Sequence, residues 1–393
     1  MRLKTLDNTI QLQGKRVLIR IDANVPIKRG KAIDGEYGRI ARAAVDLEWL
    51  RQRGAKIIVM THLGRPDGKR IPAYSTLPVM RRLDQLIGNH ISHCRHIVGP
   101  QVTKKVEHMK DGDIVVLENL RFDPREKDNA RSFAAALALL GDIYINDAFA
   151  VSHRAHASVD AIADELPAYA GPSLLHEVEV LGAVLEKPKS PFVLAMGGLK
   201  MDDKIAVMKE FVEKANVIVV GGALATAFLV AQNKQVGKSV YDKEGVVLAK
   251  RQLQQAADKF ILPIDVRVAR SLSGSWSEIK LVEEIKANEY IVDLGPKSMR
   301  QVRKEIKRAK TIVWNGPFGY CENKRFCEGT ESLAKAIARQ TGSAQTIVGG
   351  GDTLPVVENL HLAKRYTLLS SGGGAMLDFL AGKKLPGLEA LRT

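Results

Sequence analysis

Short β-branched runs recur along the 393-residue chain, with segments of helical spacing between them. "RVLIRID", "AKIIVMTH", "DIVVLEN" and "DIYIND" fall in the first 150 residues. "PFVLAMGG", "NVIVVGG", "KFILPIDV", "TIVWNGP", "QTIVGGG" and "YTLLSS" follow from residue 191 onward. These runs are apolar at successive positions, the pattern of strands covered on both faces. The intervening segments, such as "IARAAVDLEWLRQRG" and "DDKIAVMKEFVEKA", carry apolar residues three and four apart. In the second, Ile205, Met208, Phe211 and Val212 share one face of a predicted helix. Strand–helix alternation throughout predicts parallel sheets with right-handed crossovers.

The series pauses between residues 160 and 190. "ADELPAYAGPSLLHEVEVLGAVLEKPKSP" holds Pro-marked breaks around a helical stretch and no predicted strand. It reads as a connecting helix between two α/β domains, and 393 residues are too many for one ordinary core. The balance of 45% hydrophobic and 26% charged residues is that of a soluble globular chain. The longest uncharged run, "VIVVGGALATAFLVA", is too short to span a bilayer and reads as strand, Gly turn and helix. The start shows no apolar h-region, so no signal peptide is expected. Cys94, Cys321 and Cys327 are an odd count with no CxxC pair. That predicts a reducing compartment, no disulfide framework and no zinc ribbon. A net charge of +15 opens three readings: nucleic acid, polyanionic metabolites, or a solvated basic surface. With 5% aromatics and no RNP-type pattern, finger or basic heptad, a nucleic-acid partner is not expected.

The candidate chemistry lies just after the strands, where open α/β sheets bind ligands. "GGGDT" and "SSGGG" each place three glycines between a strand and a helix, where backbone N–H groups can approach a phosphate. Asp352 and Thr353 add hard oxygen ligands suited to Mg²⁺, or alternatively an N-cap. "QNKQVGKS" fails as a Walker A loop at Gln232, and neither glycine triple extends to GxGxxG, because Leu354 and Leu377 occupy the last position. Strand-end arginines mark the first half: Arg20 beside Asp22 and Asn24, Arg65 beside His62, then Arg121 and Arg154. Singly each is an ordinary surface charge; together they suit phosphate and carboxylate, which guanidinium binds bidentately. "HCRH" and "HRAH" have no partner ligands at metal spacing. Lys200 and Lys204 stand four apart at a helix start, either on a solvated face or reaching phosphates.

Taken in order, "RVLIRIDANVP", "THLGRP", "LENLRF", "NDAFAVSHRAHAS", "GGLKMDDKI", "VWNGPFGYCE", "GGGDT" and "SSGGGAMLDFLAGKKLPGL" resemble the motif set of the phosphoglycerate kinase family from about residue 5 to the C-terminus. The resemblance implies two Rossmann-like three-layer α/β domains, 1–170 and 189–379, joined by a long helix over 171–188, with the tail 380–393 returning to the first. It implies reversible phosphoryl transfer between 1,3-bisphosphoglycerate and ADP, with Mg²⁺. The phosphoglycerate would be held by Asp22, Ala23, Asn24, His62, Leu63, Gly64, Arg65, Arg121 and Arg154, with Arg39 at the transition state. Lys204, Asn315, Glu322, Gly350, Gly351, Asp352 and Thr353 would hold the nucleotide, Glu322 at the ribose and Asp352 at the metal. Lys200 would follow the transferring phosphoryl, supported by the amides of Gly372, Gly373 and Gly374. A cytoplasmic monomer acting on small molecules, with no membrane, is the expectation. The chain departs from the usual pattern at Ala23, at "GEY" before Arg39, at Met201-Asp202 and at Ser371. A two-domain NAD-dependent dehydrogenase fits the fold class but not the missing GxGxxG, and gives four arginines no task.

Overall fold

The run "RVLIRI" forms strand β1, Arg16–Ile21, at the interior of the first sheet. The computed structural model describes residues 1–6, 10–88, 91–198 and 202–393. Their contacts divide the chain into Met1–Glu179 with Lys384–Thr393, and Val180–Lys383. The division falls inside the helix Pro172–Glu186.

In the first unit, β2 (Ile27–Lys28) and β3 (Lys31–Ala32) make a small antiparallel hairpin. They are followed by β4 (Lys56–Met60), β5 (Ile91–His93), β6 (Ile114–Val116), β7 (Ile143–Asp147) and β8 (Ala168–Ala170). The parallel sheet has the order β5-β6-β4-β1-β7-β8, with Ile19 opposite Val59 and Ile145. Val17, Ile19 and Ile21 pack on one face against Ile40, Leu47 and Leu50 of the helix Arg39–Arg51. Leu18, between them, is equally buried, as a sheet covered on both faces requires. Each such side chain contributes about 1.5–3 kcal/mol of burial free energy. The last residues belong to this unit: Lys4 N donates to Leu391 O and Gly387 N to Ser152 O.

The second unit adds β9 (Phe192–Met196), β10 (Val217–Val220), β11 (Phe260–Ile261), β12 (Asp265–Ala269), β13 (Glu278–Leu281), β14 (Tyr290–Leu294), β15 (Thr311–Asn315), β16 (Gln345–Gly349) and β17 (Leu368–Ser370). Its parallel sheet runs β11-β10-β9-β15-β16-β17, so the strand order reverses between β9 and β15. Val193, Ala195 and Trp314 pack with Met299, Val302 and Ile306 of the helix Pro296–Arg308 and Leu333 and Ile337 of the helix Glu328–Ala338. Met208, Phe211 and Val212 are buried together, as their spacing predicts.

Four expectations are overturned. The 160–190 segment contains a strand after all, β8, whose "AYA" carries too little β-propensity to be read. "KFILPIDV" is two strands, because Pro263 cannot donate to a ladder. The sheets are not all parallel, since β13-β12-β14 form an antiparallel sheet with β13 exposed at its edge. Cys321 and Cys327 are joined by a disulfide; six residues apart around a turn, their Cα atoms lie 4.6 Å apart. Cys94 is free and buried. Among the described residues no helix is long and apolar enough to cross a membrane.

Candidate active site

The first cluster assembles at the carboxyl ends of β1, β4, β6 and β7. Asp22 and Asn24 follow β1. Arg39, the first residue of its helix, bonds Asp22 at 2.9 Å and donates to Asn24 O at 3.2 Å. Asn24 Oδ1 accepts from Gly64 N at 2.9 Å, which fastens the loop after β4 to the loop after β1. Gly64 has φ +62°, and a Cβ there would run into the Tyr74 ring, so only glycine fits. Its carbonyl accepts from Arg121 Nη1 at 2.8 Å, and Asn119 Nδ2 donates to Leu63 O at 2.7 Å. Ala23 and Leu63 are buried beneath these contacts. Arg65 and Arg154 are exposed; Arg65 has no protein partner among the described residues, and Arg154 Nε donates to His153 Nε2.

Arg20 has a different task from its neighbours. It is fully buried, donating from Nε to Ser158 Oγ, from Nη1 to Ile21 O and from Nη2 to His62 Nδ1 at 2.9 Å. Its donors are spent inside the fold, so it leaves the set of strand-end arginines open to a ligand. Because guanidinium only donates, His62 Nδ1 must accept, and a neutral His62 then carries its proton on Nε2. Burial, then Arg20 and Arg121, hold the His62 pKa well below the ordinary value, so the neutral ring is the form present. The same forces lower His156 to about 3, and burial with Arg20 and Arg154 nearby lowers Arg121 to about 10. Glu126, wholly buried and accepting from Ser158 N and Oγ, is the internal counter-charge. It did not stand out in the sequence, because its partner Ser158 lies 32 residues further along the chain. In His62, His156 and Arg121 burial is the largest cause of the shift and the neighbouring arginines add to it, so an anion bound beside these arginines would be favoured.

In the second unit the loops after β9, β10, β15 and β16 converge. Gly316 has φ +89°, and a Cβ there would run into the Gly197 carbonyl, so the loops after β9 and β15 meet backbone to backbone. Lys204 is buried in the first turn of the helix Asp202–Phe211, and a Cβ on Gly198 would lie 3.6 Å from its Nζ. The solvated-face reading therefore fails for Lys204. Lys200 lies outside the described residues. Thr353 occupies the N-cap position of the helix Leu354–Asn359 without a side-chain capping bond, and its hydroxyl instead accepts from Gly316 N at 2.9 Å. Asp352, next to it, is exposed, and no described residue pairs with its carboxylate. Neither side chain makes a capping bond to that helix. Asn315 is buried at the end of β15, close to Gly350, and its Nδ2 lacks a partner.

These loops border a cleft of about 720 Å³. Gly198, Glu322, Gly351 and Asp352 line it, with an apolar wall that includes Phe318, Tyr290 and Val356. Gly222 and Tyr320 also line it and were missed as site residues; the signal for Gly222 was the Gly pair ending "NVIVVGG". Gly372 and Gly373 sit elsewhere along the same sheet edge, after β17. There Gly372 opens the helix Gly373–Leu380 and its N donates to Ser370 Oγ at 3.2 Å. Among the described residues no three metal-ligating side chains cluster.

The phosphoglycerate kinase family model matches residues 7–383. The phosphoglycerate kinase of Borreliella burgdorferi is 40% identical over 397 residues, covering the whole of both chains. That of Moorella thermoacetica is 41% identical over 386 residues, 97% of each. Among solved structures, the phosphoglycerate kinase of Coxiella burnetii matches with a TM-score of 0.84 at 36% identity, over 99% of both chains. That of Pyrococcus horikoshii matches with a TM-score of 0.86 at 29% identity, over 98% of this chain and 97% of that one. With sequence, family and fold agreeing from end to end, the chain belongs to the phosphoglycerate kinase family.

Proposed function

We propose how this chain carries out the family's reaction, the reversible transfer of the acyl phosphate of 1,3-bisphosphoglycerate to ADP, giving ATP and 3-phosphoglycerate. The first unit holds the phosphoglycerate. Arg65, Arg121 and Arg154 supply its anion contacts, the Nε2–H of His62 and the groups of Asp22 and Asn24 take its carboxylate and hydroxyl oxygens, and Arg39 faces the transferring phosphoryl group. The second unit holds the nucleotide: Lys204, Asn315 and the amides of Gly350 to Thr353 at the phosphates, Glu322 at the ribose. Lys200 and the amides of Gly372 to Gly374 attend the phosphoryl group in flight. The observation that carries this reading is the paired chemistry of the two units, one a set of arginines gathered on interlocked loops at the carboxyl edge of its sheet and the other a glycine-walled cleft with an apolar side.

In the ATP-consuming direction the nucleophile is a carboxylate already ionised at neutral pH, so no general base is required. That matches a site in which His62 and His156 are pushed toward their neutral forms and in which no nucleophile is paired with a base among the described residues. The remaining work is positioning two anions in line and balancing charge on the group between them. Asp352 fits Mg²⁺, offering one free carboxylate beside the phosphate loop, which is how this ion is held when phosphates and water complete its shell. Bound there, Mg²⁺ would neutralise phosphate charge. Direct transfer between substrates held on separate units requires those units to close on each other, and the helix Pro172–Glu186 carries the chain from one to the other. The protein works as a monomer in the cytoplasm, on small-molecule substrates. A coupled assay of ATP formation from 1,3-bisphosphoglycerate and ADP tests the assignment, and absence of turnover with both substrates and Mg²⁺ would refute it.

A further inference from the structure

We propose that Cys321 and Cys327 are a redox-modified pair that sets how tightly the second unit holds its nucleotide. Both sulfur-bearing residues line the 720 Å³ cleft, and Glu322, the ribose group assigned above, sits inside the loop their bridge closes. The inference therefore rests on the reading of this cleft as the nucleotide site. In a thiol-rich cytoplasm a disulfide is characteristically transient, made and broken as a signal rather than kept as a brace.

The two sulfurs are unequal. Cys321 is half-buried on the cleft wall, whereas Cys327 is 5% exposed. A thiolate of a small dithiol reductant attacks Cys321 Sγ, the S–S bond breaks, and Cys327 departs as a thiolate. The reductant's second thiolate then attacks the mixed disulfide, releasing Cys321 and leaving the reductant as its own disulfide. Two electrons and two protons pass to the pair. Cys327 occupies the N-cap of the eleven-residue helix Glu328–Ala338, where the helix dipole favours a thiolate and so a faster departure, with Gly329 N already donating to the buried Asp293 Oδ2 at 2.7 Å. The acids of that first turn are already engaged, Glu328 with Arg267 and Glu331 with Lys335.

Reduction frees one part of the loop and leaves the rest anchored. Phe326 is buried beside Ala269 and Val292, and its N donates to Asn323 O. Asn323 Nδ2 donates to Leu272 O and Gly274 O. Tyr320 N is tied to Val292 O. Cys321 N donates to Gly319 O at 3.1 Å, so what remains to move is the Cys321 side chain and Glu322, and the effect falls on the nucleotide and not on folding.

The test compares the full chain with the bridge intact and after treatment with dithiothreitol, the thiol state being read by alkylation and intact mass. Titration with ADP and Mg²⁺ is expected to show weaker binding by the reduced form, about three- to ten-fold, the scale of losing one ordered side chain. KM for ADP should rise in step, with KM for 3-phosphoglycerate unchanged. The double variant Cys321→Ser/Cys327→Ser should match the reduced form and ignore dithiothreitol, while Cys94→Ser should respond as the parent does. Equal ADP affinity in both verified thiol states would overturn the proposal, as would a bridge that resists dithiothreitol in the folded protein. Failure to bind ADP in either state would instead overturn the assignment of the cleft. Should the double variant not fold, the parent protein in its two thiol states decides alone.

Discussion

Arg39 and Arg65 both stand at the carboxyl edge of the first sheet, but their surroundings give them different work. Arg39 is held by Asp22 and Asn24, and a guanidinium fixed in this way suits the proposed role at charge that develops only during transfer. Arg65 is exposed, with no protein partner among the described residues, and suits a contact made equally in ground and transition states. Arg39→Ala should therefore lower kcat by about 10²–10³-fold, as loss of a preorganised charge donor does. Arg65→Ala should mainly raise KM for 3-phosphoglycerate. Lysine at 39 should recover only part of the rate, since a point charge lacks the planar fork. If Arg39→Ala keeps its kcat and loses only affinity, another group carries the transition-state charge. Asp352→Ala, at an exposed position that pairs with no described residue, should keep its thermal midpoint and lose roughly 10²-fold in turnover with altered Mg²⁺ dependence. The histidines give a pH test. His156 is neutral in the fold, with a pKa near 3 against about 6.5 unfolded. Its depressed value means that stability is fully present above the unfolded pKa and is lost as pH falls from there toward 3. Between pH 6.5 and 5 that amounts to about 2 kcal/mol. The thermal midpoint of His156→Gln should fall less over this range than that of the parent; equal falls would show that His156 does not titrate this way.

At the scale of the element, what the sequence displayed was the regular part. β1, β4, β9, β15 and β16 are apolar on both faces, and a covered strand advertises itself by that continuity. The motif residues after them drew notice for a related reason, because ligand sites of open sheets lie where the strands end. The antiparallel sheet was not: β13 is exposed at all but Lys280 and follows no covered pattern. Nor was the work of Arg20, which in sequence looks like the other strand-end arginines, since its role depends on His62 and Ser158 brought from 42 and 138 residues away. The disulfide escaped for a like reason: the count of cysteines carries no information about a turn that brings two together. The glycines are the exception, legible in place though not in purpose. Gly316→Ala would force a Cβ at φ +89° onto the Gly197 carbonyl, backbone against backbone with no side chain able to yield. It should cost about 2–4 kcal/mol, combining backbone strain with a forced separation of the two loops. In calorimetry the loss should appear in the second unit's transition and leave the first unit's in place. An unchanged second-unit transition would mean that the two loops are not held together by that approach.

Over the whole molecule the net charge of +15 far exceeds what the site demands. Much of the surplus is laid out on the helix Pro296–Arg308. Lys297, Arg300, Arg303, Lys304, Lys307 and Arg308 are all exposed there, against the single acid Glu305, while Met299, Val302 and Ile306 face the core. Among the described residues none of the six forms an ion pair. Two features argue that this face is solvated surface and not a nucleic-acid reader. It presents no aromatic side chain on which a base could stack, and among the described residues just one of its cation side chains has a hydrogen-bonded partner, Arg303, whose Nη1 donates to Ser332 Oγ at 3.0 Å. Its attraction for a phosphate backbone is then purely electrostatic and falls steeply with salt. Duplex DNA at 150 mM salt should bind with a Kd no tighter than roughly 10⁻⁵ M, within the non-specific range. Fluorescence anisotropy at several salt concentrations measures this. Every cation that no longer neutralises a phosphate should reduce the slope of log Kobs against log salt by about 0.9. Arg300→Glu with Lys304→Glu should therefore flatten the slope and leave kcat untouched, since neither residue belongs to the cleft. Submicromolar binding at 150 mM salt, abolished by that pair of changes, would overturn the solvated reading and give the helix a function of its own.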